Sequence, residues 1–270
     1  MIPRLFVDMP LAARASAPLS ADQAHYLRDV LRREVGAPLL LFNGVDGEFS
    51  AVLEEIAKKR ASARIEAQTR PQSAAPDLVL AFAPVKRQAV DAIVQKGVEL
   101  GVSGFMPVIT ARTNSERVRT DRLASIAREA AEQSGRLCVP DVDDPVKLAR
   151  FLEAFEPKRP LIFCDEAGDD PTAEWGGPNG RAQPMLKALQ ASALEGKPMS
   201  ATILIGPEGG FTSEERSKLR ALPNVLPVTL GPRILRADTA AFSAIALWQS
   251  ICGDWTGPNG PAAGHDIGAQ

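Results

Sequence analysis

The chain has 270 residues, of which 45% are hydrophobic and 24% are charged, and its formal net charge is −2. This length allows a sizeable core in one or two domains. No run of about 18 apolar residues exists, which excludes a transmembrane helix, and the first residues lack the pattern of a signal peptide. Two histidines and three scattered cysteines without a CxxC pair argue against a zinc site. We therefore expect a cytoplasmic protein with reduced thiols and no bound metal.

Residues 1–70 have the pattern of a small, mostly β domain. Short strands are expected at 4–8, 38–44, 48–56 and 61–68. A short helix over 21–34 separates the first two strands, and the pairs Asn43-Gly44 and Asp46-Gly47 mark a hairpin tip. Strands of this length without helical crossovers are typical of a β-barrel or a sandwich.

From residue 78 onward, strands alternate with helices. Strands are expected at 78–83, 104–109, 160–166, 201–206 and 225–231. Helices are expected at 86–101, where Gly101 serves as the C-terminal cap, and at 121–137. This alternation predicts an α/β domain with a parallel sheet and helices on both faces.

The domain organisation follows from these patterns. The polar, proline-flanked segment 71–77 is interpreted as a linker, and the α/β domain is expected to occupy 78–256. Residues 167–200 are interpreted as a surface excursion with one short helix around 185–190. The tail at 257–270 is expected to be disordered.

Basic residues cluster locally although the net charge is slightly negative. The clusters are Arg28, Arg32 and Arg33; Lys58, Lys59, Arg60 and Arg64; and Arg112, Arg117, Arg119 and Arg122. A local basic face can bind phosphate groups even when the total charge is acidic. Ordinary solvated side chains are an equally good interpretation of the composition alone.

The segment LIGPEGGFTSEE at 204–215 is a strand that runs into a glycine-rich loop. Gly209 and Gly210 permit unusual dihedrals and close approach to the backbone, so the loop can present its polar groups to a ligand. A tight strand-to-helix turn is the alternative. Thr212 and Glu215 match a capping box that starts the next helix. The loop has neither the dinucleotide fingerprint nor the P-loop pattern.

A second loop of this kind follows about twenty residues later, in LGPRILRADTAA at 230–241. The apolar pair Ile234-Leu235 suits a flat heteroaromatic ring, and Asp238 or Thr239 can cap the last helix. That helix is apolar nearly all round, which predicts burial, including burial against a second subunit. The two loops together predict one ligand pocket at the edge of the sheet.

These two segments closely resemble the SPOUT-class RNA methyltransferases, and among them the bacterial 16S rRNA uridine methyltransferases that act on ring nitrogen 3. The opening IPRLFV, the block QKGVELGVSGFMPVITARTNSER and the segment AREAAEQSGRLCVP fit the same family. The resemblance implies an N-terminal PUA-like β-barrel, a C-terminal α/β domain with a trefoil knot, a homodimer, and S-adenosylmethionine as cofactor. The implied substrate is uracil 1498 in 16S rRNA of the small ribosomal subunit.

The resemblance also assigns site residues. The cofactor-binding positions are Leu204, Ile205, Gly206, Pro207, Glu208, Gly209, Gly210, Leu230, Gly231, Ile234, Leu235 and Arg236. The candidates for contact with RNA or uracil are Arg4, Arg112, Glu132 and Arg136. The family usually has a glutamate where this chain has Asp238, and aspartate keeps the carboxylate but shortens its reach.

The chemistry assigns roles to three of these residues. A sulfonium methyl is already electrophilic, whereas the ring N–H of uracil must lose its proton. Arg236 and Arg4 are predicted to stabilise the developing uracil anion, and a carboxylate such as Asp238, or a water, takes the proton. A solvated surface arginine is the alternative for Arg4.

Two other functions fit the same motifs. One is a related SPOUT methyltransferase that acts on tRNA or on a ribose 2′-hydroxyl. The other is a catalytically idle RNA-binding protein that keeps the barrel and the fold. Binding of S-adenosylmethionine separates the second from any methyltransferase.

Overall fold

The computed structural model describes residues 2–114, 118–165, 182–193 and 200–256. The predicted tail at 257–270, Arg117 and most of the predicted excursion at 167–200 lie outside these ranges. Contacts divide the chain into two compact units, Met1–Ala74 with Ala127–Val139, and Ala75–Ile126 with Pro140–Gln270. The domain boundaries expected at 70 and 78 stay a prediction. No helix in the described ranges is long and apolar enough to cross a membrane.

Five strands form one sheet in the first unit. They are β1 (Arg4–Phe6), β2 (Ser16–Leu19), β3 (Pro38–Phe42), β4 (Glu48–Ile56) and β5 (Ala61–Arg70), in the order β1-β3-β4-β5-β2. Strand β1 pairs parallel with β3, and the other neighbours are antiparallel. Bulges between β4 and β5 add local twist. Alternating residues of these strands, such as Ala63 and Ile65, are buried in the unit's core.

The predicted hairpin tip joins β3 and β4. The Asn43 side-chain oxygen accepts hydrogen bonds from the backbone N–H groups of Val45 and Asp46, at 3.0 and 2.8 Å. This is the Asx-type turn that asparagine favours. The tip is therefore confirmed.

The expected helix over 21–34 is shorter and less regular than predicted. Helix α1 (Ala21–His25) continues into a single π-helical turn, Tyr26–Val30, and Arg32 then adopts a positive φ of 51°. A capping box between Ser20 and Gln23 fixes the start of α1.

The sequence does not predict strand β2, because its residues, Ser-Ala-Pro-Leu, have weak strand propensity. Its pairing with β5 holds this segment in the extended conformation.

The second unit contains a parallel sheet. Its strands are β6 (Leu78–Phe82), β7 (Gly104–Ile109), β8 (Asp141–Val142), β9 (Val146–Lys147), β10 (Leu161–Cys164), β11 (Gln183–Pro184), β12 (Ala201–Ile205) and β13 (Val225–Thr229). The order is β11-β13-β10-β12-β6-β7-β8, with β9 paired to β7, and every pair is parallel. The predicted parallel sheet is confirmed, while the trefoil knot stays a prediction.

Among the described residues, six helices belong wholly or, for α3, in part to this unit: α2 (Arg87–Glu99), α3 (Thr120–Ser134), α4 (Leu148–Ala154), α5 (Met185–Ala193), α6 (Ser213–Arg220) and α7 (Ala237–Ile251). The apolar stripe of α2 is buried, as its spacing predicts, and Gly101 follows the helix with a φ of +95°. On α3 the inner stripe includes Ala130 and Ala131, whereas Ser134 is exposed, contrary to expectation.

Candidate active site

The two glycine-proline loops start at one edge of the sheet. Strands β13, β10 and β12 are neighbours and parallel, so their carboxyl ends lead to the same edge. The backbone N–H of Asp165 donates to the carbonyl of Val228, and that of Ala83 donates to the carbonyl of Ile205, both at 2.9 Å. The first loop therefore begins beside β6, and the second begins two strands away, with β10 between β12 and β13.

The loop after β12 has a compact core and an open tip. Pro207 is buried, whereas Glu208 and Gly209 are exposed. The Gly210 N–H donates to the Pro207 carbonyl at 2.8 Å, which closes a turn, and Gly210 has a φ of +65°. Leu204 and Ile205 bury their side chains in the core, so only their backbone is available to a ligand.

Gly206 is required by its neighbour Phe211. A Cβ atom at Gly206 would lie 2.6 Å from the Phe211 ring. That ring packs edge-on against Phe163, with centroids 5.1 Å apart. The Phe211 ring thus occupies the space that a side chain at position 206 would need. The path of the loop therefore requires glycine there.

Helix α6 ties this loop to the turn after β7. Thr212 and Glu215 form the predicted capping box, with N···O distances of 3.0 and 3.2 Å. The second carboxylate oxygen of Glu215 accepts from the backbone N–H of Ala111 at 2.7 Å. Arg112, predicted to contact RNA, donates through Nη1 to the Gly209 carbonyl at 2.8 Å. The structure thus brings Arg112 to the predicted cofactor loop.

Asp165 was missed by the sequence-based reasoning. It follows β10, is only 2% exposed, and lies 2.9 Å from Nε of Arg216 and 2.7 Å from Nη2 of Arg220. The two arginines are one turn apart on α6 and are themselves buried, so this carboxylate anchors α6 to the end of β10.

The loop after β13 exposes an apolar side chain. Thr229 Oγ1 lies 3.3 Å from the Gly231 nitrogen and accepts its N–H, and Gly231 has a φ of +122°. Ile234 is 95% exposed, while Leu230 and Leu235 are half-buried. An aliphatic side chain in this position suits a flat ring laid against it.

Arg236 and Asp238 lie at the start of α7. The helix begins at Ala237 with Arg236 as its N-cap, and no side chain caps it. The prediction that Asp238 or Thr239 caps the helix is wrong, because the helix starts earlier and Asp238 Oδ1 instead accepts from the Thr239 N–H at 2.7 Å. Because Asp238 lies in the first turn, its carboxylate still stabilises the helix by interacting with the positive end of the helix dipole.

Arg4, Glu132 and Arg136 form a structural cluster in the first unit. Arg4 is 7% exposed and donates to Glu48 Oε2 at 2.6 Å and to the carbonyls of Ala131, Glu132 and Arg136 at 2.9–3.0 Å. The alternative of a solvated Arg4 is therefore wrong. Its contacts show that it holds the C-terminal end of α3; its predicted catalytic role stays a prediction.

The carboxylates of this cluster are strongly influenced by their surroundings. Burial raises the pKa of Glu132, whose Oε1 accepts from the Phe6 N–H at 2.9 Å. Burial acts in the same direction on Glu48, but hydrogen bonds from Arg70 and Arg4 outweigh it and lower the pKa of that carboxyl. Arg70 also donates to the Gly135 carbonyl at 2.8 Å.

We expect Glu48 to make stability depend on acid pH. A folded-state pKa below the unfolded value gives stability that is present above the ordinary pKa of about 4.3 and is lost as pH falls through the folded value. In urea unfolding, the difference in the free energy of unfolding between wild type and Glu48→Gln should therefore become smaller from pH 6 to pH 3. Glu55→Gln, at an exposed ion pair with Arg60, is the matched control and should show little gap at any pH. A Glu48→Gln gap that stays constant with pH would contradict the assignment.

Within the described ranges, no group of three or more His, Cys, Asp or Glu side chains could hold a metal ion.

The fold and its two loops define a class of protein. Residues 72–249 match the family model of the RNA methyltransferase domain, and residues 19–66 match that of the RNA methyltransferase PUA domain. The chain is thus an RNA methyltransferase with an N-terminal PUA-like domain, and the resemblance inferred from its motifs is confirmed.

Individual relatives narrow the class. The chain is 31% identical over 244 residues to ribosomal RNA small subunit methyltransferase E of Rickettsia conorii, covering 90% of this chain and 93% of the relative. It is 33% identical over 248 residues to the protein of the same name from Synechocystis, covering 90% and 76%. The chain belongs to the ribosomal RNA small subunit methyltransferase E family.

Solved structures agree with this assignment. A protein from Legionella pneumophila described as a methyltransferase in complex with the cofactor SAM aligns with a TM-score of 0.77 and 29% identity, covering 94% of this chain and 99% of that one. A ribosomal RNA small subunit methyltransferase E from Neisseria gonorrhoeae bound to S-adenosyl methionine aligns with a TM-score of 0.76 and 27% identity, covering 94% and 100%.

Proposed function

We propose that this protein methylates ring nitrogen 3 of uridine 1498 in 16S rRNA of the small ribosomal subunit, using S-adenosylmethionine. One observation carries the proposal: in a chain of this family, the two loops start at Gly206 and Leu230 on the same edge of the sheet. Two similar structures were solved with S-adenosylmethionine bound, which supports the same cofactor here.

The loops have the chemistry that this cofactor requires. Ile234 offers an exposed apolar surface to the adenine ring, with Leu230 and Leu235 beside it. Gly209 and Gly210 carry no side chain that would cover their backbone polar groups, so these groups can meet the polar edges of the ligand. The backbone from Leu204 to Gly210 would line the same pocket. The residues present therefore fit S-adenosylmethionine.

Bound S-adenosylmethionine supplies an electrophilic methyl group. The residues of this chain must then orient the uracil and remove the proton from its ring nitrogen 3. Arg236 is exposed at the start of α7 and would stabilise the uracil anion with a charge-assisted hydrogen bond. Asp238, two residues further on, or a water that it orients, would accept the proton.

RNA contacts and assembly follow from the same arrangement. Arg112 lies against the Gly209 carbonyl, so its guanidinium is close to where a base would meet the cofactor loop. Helix α7 has a second apolar face, Phe242, Ala246 and Leu247, which is only half-buried. We propose that this face forms a homodimer interface, and that the dimer acts on the small subunit in the cytoplasm.

Purified protein tests the proposal directly. Calorimetry should show binding of S-adenosylmethionine, and incubation with small subunits that lack the modification should add one methyl group to one uridine. Nucleoside analysis should yield 3-methyluridine. A methyl group on a ribose, or on tRNA only, would favour the related SPOUT activities. Absence of both cofactor binding and methylation would leave a catalytically idle RNA-binding protein.

Gly206→Ala should weaken cofactor binding. The new Cβ would displace the Phe211 ring and, with it, the loop, and we expect the dissociation constant for S-adenosylmethionine to rise about tenfold or more. Gly104→Ala in the same sheet is the control, since its Cβ would meet Val79 at an ordinary 3.7 Å. Equal affinities of the two variants in calorimetry would show that the loop does not depend on Gly206.

A further inference from the structure

A small cavity lies between the beginnings of helices α2 and α3, within the second unit. Its volume is about 220 Å³. The lining consists of four aliphatic side chains, among them Val85 and Val118, and four charged ones, Arg87, Asp91, Arg119 and Arg122. It combines an apolar floor with a basic rim, and nothing in the proposed reaction uses it so far.

The charges at this rim favour an anion. Arg122 contacts Asp91, so one pair of charges is largely balanced. Arg119 pairs with Asp121, but both side chains are more than 60% exposed, and such pairs exchange readily. Arg87 is also exposed. The N-cap of α2, Lys86, has no side-chain hydrogen bond, so the positive end of the helix adds to the field. Two guanidinium groups are therefore available to a phosphate.

The cavity lies at the same edge of the sheet as the two loops, the edge formed by the carboxyl ends of the strands. Val85 is three residues beyond the carboxyl end of β6. Two residues before it, Ala83 hydrogen-bonds the carbonyl of Ile205, immediately ahead of Gly206. A ligand in the cavity would thus be a near neighbour of the loop proposed to hold the cofactor.

We infer that this cavity binds a nucleotide adjacent to the target uridine, with its base on the aliphatic floor and its phosphate at Arg87 and Arg119. This inference rests on the proposed function. The apolar floor suits the face of a base, and the arginines suit phosphate. Because the space admits one base and not a helix, the RNA entering it is single-stranded at that nucleotide.

The test compares variants of the full-length protein with small ribosomal subunits as substrate. In Arg87→Ala/Arg119→Ala we expect the KM for subunits to rise about tenfold. The slope of log affinity against log salt should fall by about 0.7, from the loss of one neutralised phosphate of a single strand. The dissociation constant for S-adenosylmethionine should stay at its wild-type value, which also reports an intact fold. Arg150→Ala is the control, because Arg150 is 73% exposed and ion-paired like Arg119.

A second variant separates the cavity from a merely basic surface. Val118→Trp fills the space and keeps all three arginines, so the KM should again rise, while the salt slope changes less than in the double variant. The inference is overturned if the double variant keeps the wild-type KM and salt slope, or if Val118→Trp has no effect. If wild type itself transfers no methyl group to the subunits, the proposed function fails rather than this site alone.

Discussion

Replacing Arg236 with alanine is expected to lower kcat about 100- to 1,000-fold and to leave the dissociation constant for S-adenosylmethionine within about threefold. The side chain is exposed and makes no capping bond to α7, whereas its backbone carbonyl accepts from the Ala240 N–H at 2.8 Å. Removing the guanidinium therefore spares the helix start. What is lost is the charge that would stabilise the uracil anion.

The controls for this prediction lie in the same loop. Arg233→Ala removes another exposed arginine and should have a small effect, while Arg236→Lys keeps a charge without the planar fork and should retain part of the activity. Single-turnover methylation and calorimetry measure the two quantities separately. Near-normal turnover of Arg236→Ala would remove this residue from the mechanism.

Asp165→Asn is expected to lower the free energy of unfolding by about 3–5 kcal/mol. Asparagine has the shape of aspartate but no charge, so Arg216 and Arg220 would lose a buried anionic partner at 2.9 and 2.7 Å. Because α6 begins directly after the loop at Gly206–Phe211, a looser α6 should also weaken binding of S-adenosylmethionine.

Urea unfolding and calorimetry test both parts of this prediction. Glu153→Gln is the matched control, since its ion pair with Arg150 is exposed and should contribute less than about 1 kcal/mol. Asp165→Glu should recover part of the stability. If Asp165→Asn unfolds like wild type, the carboxylate does not anchor α6.

Much of the fold was predictable because its signals are local. Strands β4 and β7 have the predicted bounds, and the capping box at Thr212 and Glu215 starts α6 where the sequence indicates. Each of these features is set by residues within a few positions of one another. The two loops were found for the same reason, since a buried strand and its glycines are adjacent in the chain.

The remaining features depend on distant partners. Asp165 meets Arg220 across 55 positions, and Arg4 meets Arg136 across 132, so neither contact has a sequence pattern. Arg4 was assigned to the uracil on resemblance, whereas its hydrogen bonds hold the end of a helix. Strand β2 depends on β5 to order a sequence with weak intrinsic preference.

The start of α7 shows a subtler limit. Asp238 and Thr239 are residues that commonly cap helices, yet the helix begins before them, at Ala237. An aspartate in the first turn also stabilises a helix through its dipole, and sequence cannot separate the two positions.

The most direct test of the proposed activity is mass mapping of 16S rRNA from a bacterium that lacks its own ribosomal RNA small subunit methyltransferase E. Expression of this chain should restore a single methyl group at ring nitrogen 3 of uridine 1498, and expression of Arg236→Ala should not. An rRNA that stays unmethylated at that uridine with the wild-type chain present, or a methyl group that appears elsewhere, would contradict the proposal.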